Sequence, residues 1–152
     1  MKVYIAGPMT GLPQHNFKAF DAAKRQLKRQ GHKVVSPADI DRMFGITGRE
    51  RPEDLAAAML QRVMLVELRA IGRCDALTLL PGWQRSKGAA IEILWANMWR
   101  VPIYTIEEFL TNDSPSPLIL PSYIVPDCYG ASAGVRSRRT ASGRIAPRTP
   151  RR

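Results

Sequence analysis

Short apolar runs alternate with amphipathic stretches over the first 110 residues, and each changeover carries a turn or cap signal. Residues 3–6 form an apolar run closed by Gly7-Pro8, which predicts a buried strand running into a turn. Asn16 stands where it can cap a helix whose apolar positions, Phe17, Phe20, Ala23 and Leu27, share one face, with Lys24, Arg25, Lys28 and Arg29 outside. Gly31 is the expected end of that helix. Residues 32–35 predict a second strand, stopped by Ser36-Pro37. The stretch 38–52 is polar and glycine-bearing and predicts a loop that covers a site. A helical pattern follows over 53–72, with Leu55, Met59, Val63, Val66 and Ala70 as the expected buried stripe. Residues 76–80 predict a third strand ended by Pro81-Gly82, 87–99 a helix, 102–104 a fourth strand and 106–110 a short helix.

Apolar strands that alternate with helices must be covered on both faces, which requires parallel pairing with crossover helices. The predicted fold class is α/β, a small Rossmann-like (flavodoxin-like) three-layer sandwich with a parallel sheet. Ligands in such sheets sit at the carboxyl ends of the strands, near the switch in strand order. That directs attention to residues 7–12, 36–41 and 81–86.

Charge changes the picture only at the end of the chain. Of 152 residues, 23 are basic and 13 acidic, for a net charge of +10. Residues 129–152 hold seven arginines and no acid, which leaves 16 basic and 13 acidic residues in 1–128, a net of +3. The body is therefore electrostatically ordinary. The Gly/Ser/Pro/Arg-rich segment 129–152 predicts a disordered basic tail with weak polyanion contact. Residues 1–112 read as one domain, and 113–128 as an extension packing on that domain or on a neighbouring subunit. Cys74 and Cys128 make no disulfide framework, no Cys/His cluster suggests a metal, and no stretch resembles a signal peptide or membrane span. A cytoplasmic protein with no metal or cofactor and no membrane contact is the expectation.

The segment from Ser86 to Trp99 is the richest in chemistry. Glu92 has Gly88, Ala89, Trp95 and Ala96 as its helical neighbours, none of them charged. A carboxylate held among small and aromatic residues has its pKa raised by desolvation or is held by a hydrogen-bond donor. Gly88 and Ala89 also leave room for a ligand. Ser86 is a natural N-cap, and the helix start behind it, with Gly88, suits an anion. Six residues, about 9 Å of helix, separate Ser86 from Glu92, which fits a sugar phosphate with its anomeric carbon at the carboxylate. The Gly7-Pro8-Met9-Thr10-Gly11 loop can turn backbone N–H groups toward a phosphate. Tyr4 can hydrogen-bond a buried carboxylate, and Trp83 suits either stacking on a flat ring or packing. Asp75 stands just before the third strand, where a turn residue is common. His15 and His32 stand alone and receive no role.

These residues carry a resemblance. Val-Tyr-Ile-Ala-Gly-Pro-Met-Thr-Gly at 3–11, Gly-His-x-Val-x-x-Pro at 31–37, Cys-Asp-Ala at 74–76 and Leu-Pro-Gly-Trp-x-x-Ser-x-Gly-Ala-x-x-Glu at 80–92 resemble the nucleoside 2-deoxyribosyltransferase-like superfamily. The resemblance spans roughly residues 1–110 and is nearest a small branch associated with phages and prophages. It implies a catalytic glutamate at Glu92, a tyrosine at Tyr4 that orients it, and an aspartate at Asp75 concerned with the base or its protonation. It implies that Ser86 contacts the 5′ side of the sugar and leans toward a 5′-phosphorylated substrate. The arginine that helps hold phosphate in the hydrolases is absent, since Thr10 and Gly11 stand in that loop. The implied substrate-binding set is Gly7, Thr10, Gly11, Trp83, Ser86 and Gly88. The implied activity is cleavage or transfer of the N-glycosidic bond of (deoxy)nucleosides or their 5′-monophosphates through a covalent sugar–enzyme intermediate, by a homo-oligomer (in the host cytoplasm for a phage-encoded chain). A nucleotide-binding protein using the same pocket without turnover, and a phosphoribohydrolase, are the competing readings.

Overall fold

The structure, a computed structural model, describes residues 1–112 and 114–119. The arginine-rich segment 129–152 lies outside the described residues, as does most of 113–128. Four strands, β1 (Lys2–Ala6), β2 (Lys33–Val35), β3 (Ala76–Leu79) and β4 (Ile103–Thr105), form one sheet in the order β2-β1-β3-β4. Every neighbouring pair is parallel. Five helices connect or follow them: α1 (Phe17–Arg29), α2 (Pro37–Met43), α3 (Ala57–Ile71), α4 (Lys87–Met98) and α5 (Ile106–Thr111). Helices α1 and α5 contact one another, as do α3 and α4, so each face of the sheet carries a helical pair.

The central strands are fully covered. Val3, Tyr4, Ile5 and Ala6 of β1 and Ala76, Leu77 and Thr78 of β3 have no exposed surface. Successive strand side chains point to opposite faces. Tyr4 reaches α4, so Val3 and Ile5 face α1, where Phe20 and Leu27 are also fully buried. Each such side chain contributes about 1.5–3 kcal/mol through burial. After β1 the chain goes to β2 on one side and later returns to β3 on the other. The crevice at the carboxyl ends of β1 and β3 is thus the switch point of the sheet.

Three sequence expectations are corrected. Asn16 does stand before α1, but its φ is +56° and its side chain does not cap the helix; its amide donates to the Pro8 carbonyl at 2.9 Å instead. Residues 37–43 are helical, not part of a loop, because Pro37 enters at the first helical position, where its missing N–H is harmless. The buried stripe of α3 is Val63, Glu67 and Ile71, with Met59 half-buried in line behind them, while Val66 is 37% exposed. Of the extension, Leu118 donates its backbone N–H to the Ile103 carbonyl at 2.7 Å and packs on the core.

Candidate active site

A cavity of about 560 Å³ opens at the switch point. Gly7–Thr10 after β1, Pro37 and Asp41 from the start of α2, Val63 and Glu67 from α3, and Ser86–Ala89 with Glu92 from α4 supply its walls. Gly7 has no alternative there, since a Cβ at this position would lie 2.8 Å from the Leu80 Cβ. Gly88 faces open space apart from the Ser86 hydroxyl oxygen at 3.9 Å. Ser86 caps α4, accepting the Ala89 N–H at 3.2 Å, and its hydroxyl donates to the Gly7 carbonyl at 3.4 Å. The cap therefore also ties the loop after β1 to the helix start. Arg85 and Lys87 line the same end, so this part of the cavity is cationic and carries the first-turn N–H donors of α4.

The interior is acidic. Glu92, 4% exposed, receives the Tyr4 hydroxyl at 2.6 Å. Glu67 and Asp41, 6% and 8% exposed, face the same space and form no ion pair among the described residues. Burial raises the Glu92 carboxyl far above the usual carboxylate range, and the Tyr4 hydrogen bond pulls it partly back. Glu67 is raised by burial and then by the charges of Glu92 and Asp41, with no hydrogen bond to offset them. Of the two, Glu92 has the partner that favours ionisation, so it gives up its proton before Glu67 does. Tyr4 is pushed well above its usual value by burial, then by the negative charge of Glu92, and stays a donor. Asp41 is raised to about 6, chiefly by burial.

The far wall is built by two loops locked together. The Glu50 carboxylate accepts the backbone N–H groups of Thr47, Gly48 and Arg49 and the Thr47 hydroxyl, which folds the segment after α2 into a knot. Gly48, at φ +82°, is required because a Cβ would lie 2.8 Å from the Gln14 carbonyl oxygen. The Glu50 carbonyl accepts from His15 Nε2 at 2.9 Å. The three residues Gln14, His15 and Asn16 all have positive φ, a costly backbone that the surrounding bonds hold in place beside the cavity. Ile46 and His15 are seated in the cavity wall as a result.

The structure brings Tyr4, Gly7, Thr10, Ser86, Gly88 and Glu92 to one place. Three expected residues are not brought there. Asp75 is exposed at the amino end of β3, where its carboxylate accepts the Lys2 backbone N–H at 2.6 Å. Gly11 stands outside the cavity, at φ +80° in a turn closed by Leu12 N–H to the Met9 carbonyl. Trp83 packs half-buried against the core. Glu67, Asp41 and His15 take their place as cavity groups. Glu67 had a legible signal: it stands four residues after Val63 and four before Ile71, in the middle of a buried stripe.

No three His, Cys, Asp or Glu side chains among the described residues converge as a metal ion requires. No described helix is long and apolar enough to cross a membrane.

The fold is shared with a solved 2-deoxyribosyltransferase from the psychrotolerant bacterium Bacillus psychrosaccharolyticus, described as a biocatalyst for the synthesis of antiviral and antitumoral nucleosides. The two are 16% identical with a TM-score of 0.56, over 78% of this chain and all of the other. No curated protein matches the chain. A family described only as a domain of unknown function, DUF4406, matches residues 1–105, and the chain belongs to that family.

Proposed function

We propose that the protein cleaves or transfers the N-glycosidic bond of (deoxy)nucleosides or their 5′-monophosphates. The observation that carries this reading is the buried pair of glutamates in one cavity, one of them held by Tyr4 at 2.6 Å. The likeness to a 2-deoxyribosyltransferase fold supports it. In the reaction, an oxygen of the Glu92 carboxylate attacks the anomeric carbon and forms a sugar ester. The bond from that carbon to the base nitrogen breaks, and its electron pair leaves with the base. Glu67 donates its proton to the departing base and becomes a carboxylate. Water or a second base then displaces the sugar from Glu92, in either case giving a proton back to Glu67. The oxocarbenium character of both transition states is stabilised by the adjacent carboxylate.

Arg85, Lys87, the Ser86 cap and the start of α4 form the end that receives the 5′ group, and the two cations favour a 5′-monophosphate over a free nucleoside. Asp75 lies outside the cavity and has no part in the step. The protein works as a homo-oligomer. Apart from Lys87, the outer face of α4 offers water Ile91, Leu94 and Met98, 40–55% exposed, and Ile91 also lines the cavity, so a second copy on this face narrows its mouth.

The test is chromatography of deoxynucleosides and their 5′-monophosphates after incubation with wild type and Glu92→Ala, each with and without a second base. Free or exchanged base formed by wild type alone is the expected result. No product from any substrate overturns the reading.

A further inference from the structure

The cavity has one carboxyl group that the reaction does not use. Glu92 bonds the sugar and Glu67 protonates the base, but Asp41 is 92% buried and lines the same space; among the described residues His15 and Arg42 act on its charge from nearby, but none donates a hydrogen bond to its carboxyl group. A buried carboxylate without a donor is costly, by an amount set by desolvation, unless a ligand supplies the missing hydrogen bond. The wall also carries Pro37, Ile46, Leu55 and Val63, which offer a flat ring apolar contact, and His15, whose Nε2–H is taken by the Glu50 carbonyl. Asp41 stands near enough to Glu67 for its charge to act on that carboxyl. The base end of the cavity therefore offers one hydrogen-bond acceptor beside one acid.

We propose that Asp41 selects the base, accepting a hydrogen bond from an exocyclic amino group, so that the protein prefers amino-bearing bases to their oxo counterparts. The inference rests on the glycosidic reading of the site. In cytosine and adenine the amino group stands beside an unprotonated ring nitrogen. Such an edge matches an ionised Asp41 taking the amino hydrogen while the neighbouring acid donates to the ring nitrogen. Uracil and thymine offer a single N–H flanked by two carbonyl oxygens, both of which face a carboxylate with like partial charge. Hypoxanthine replaces the amino group of adenine with a carbonyl oxygen, which Asp41 repels. Sites built around a substrate N–H reject analogues that lack it more strongly than apolar pockets reject a change in size.

The experiment compares matched pairs that differ only in the amino-to-oxo change: deoxycytidine with deoxyuridine and deoxyadenosine with deoxyinosine, each also as the 5′-monophosphate. The expected kcat/KM ratio favours the amino member by at least about tenfold in wild type. In Asp41→Asn, whose amide can donate to a carbonyl, that ratio falls by about tenfold or more. A change in protein stability alone lowers both members of a pair together and leaves the ratio fixed. Turnover with a wild-type ratio near one, or a ratio unmoved in Asp41→Asn, overturns the inference and leaves the glycosidic reading intact. If wild type releases no base from any substrate, that reading fails by itself, and equilibrium dialysis of the same pairs decides the inference: an amino preference of tenfold that Asp41→Asn abolishes supports it, and equal binding overturns it.

Discussion

The two ends of the parallel sheet use acidic side chains in opposite ways. At the amino end Asp75 is exposed, and its carboxylate accepts one backbone N–H from Lys2. That hydrogen bond ties the start of β1 to the start of β3. At the carboxyl end Glu92, Glu67 and Asp41 are all more than 90% buried around one cavity, and a single tyrosine hydroxyl is the donor bonded to Glu92. Desolvation without neutralisation raises these groups above the usual carboxylate range. Residue type is the same at both ends. Environment sets the two ends apart: exposed and hydrogen-bonded at one, buried around a cavity at the other.

The sharpest way to break this contrast is to remove the group on which it turns. Glu92→Gln is expected to lower kcat by at least about a thousandfold while the circular dichroism spectrum stays that of wild type. Retention of more than a few per cent of the rate contradicts the role given to Glu92. Glu67→Gln is expected to cost about 10²–10⁴ in rate. It also changes the pH profile. Wild type needs Glu92 ionised and Glu67 protonated, so its rate rises with pH as Glu92 loses its proton and falls as Glu67 does. Glutamine has no proton to lose in that range, and the fall at high pH should disappear. Tyr4→Phe is expected to cost about 10–100-fold, the loss of one hydrogen bond to a charged group. That bond favours the ionised carboxylate, so its removal moves the rising limb of the profile to higher pH.

Two smaller effects sharpen the comparison. Because Glu67 titrates above its value in the unfolded chain, about 4.3, the native state holds the extra proton between that pH and the raised value. Stability therefore falls as pH rises through this window, and Glu67→Gln should relieve the cost. Its melting temperature is expected to exceed that of wild type by roughly 3 °C or more at pH 8, with a smaller gain at pH 5. A gain that does not grow with pH contradicts the assignment. Asp75→Asn, at the other end of the sheet, is expected to leave turnover within about twofold of wild type, as surface substitutions usually do. A loss of about a hundredfold would return the acid role to Asp75.

Much of this was legible in the sequence. The strands and four of the five helices announce themselves through periodicity and Gly/Pro punctuation. Glu92 is visible because a glutamate among Gly88, Ala89, Trp95 and Ala96 has no polar face to belong to. Tyr4 follows as the one polar tip in the first strand. Glu67 stayed hidden because counting only apolar residues rotates the stripe of α3 onto Val66, when the buried row in fact passes through a charged residue. Asp41 was lost with α2, read as a loop because its polar composition outweighed the helix-start signal of Ser36-Pro37. The position of Asp75 is not legible in the same way, because chain proximity to a central strand does not say at which end of the sheet a residue lies. The chemistry of Trp83 suits stacking and packing equally, and the structure packs it against the core.

The most direct measurement of the central claim is intact and peptide mass spectrometry of the protein after incubation with 2′-fluoro-arabinosyl nucleosides and their 5′-monophosphates, whose fluorine slows release of a sugar ester. The expected result is one sugar added per chain, located on the peptide that contains Glu92 and absent from Glu92→Gln. Base released with no adduct at any time, or an adduct on a different residue, would contradict the assignment of Glu92 as the nucleophile.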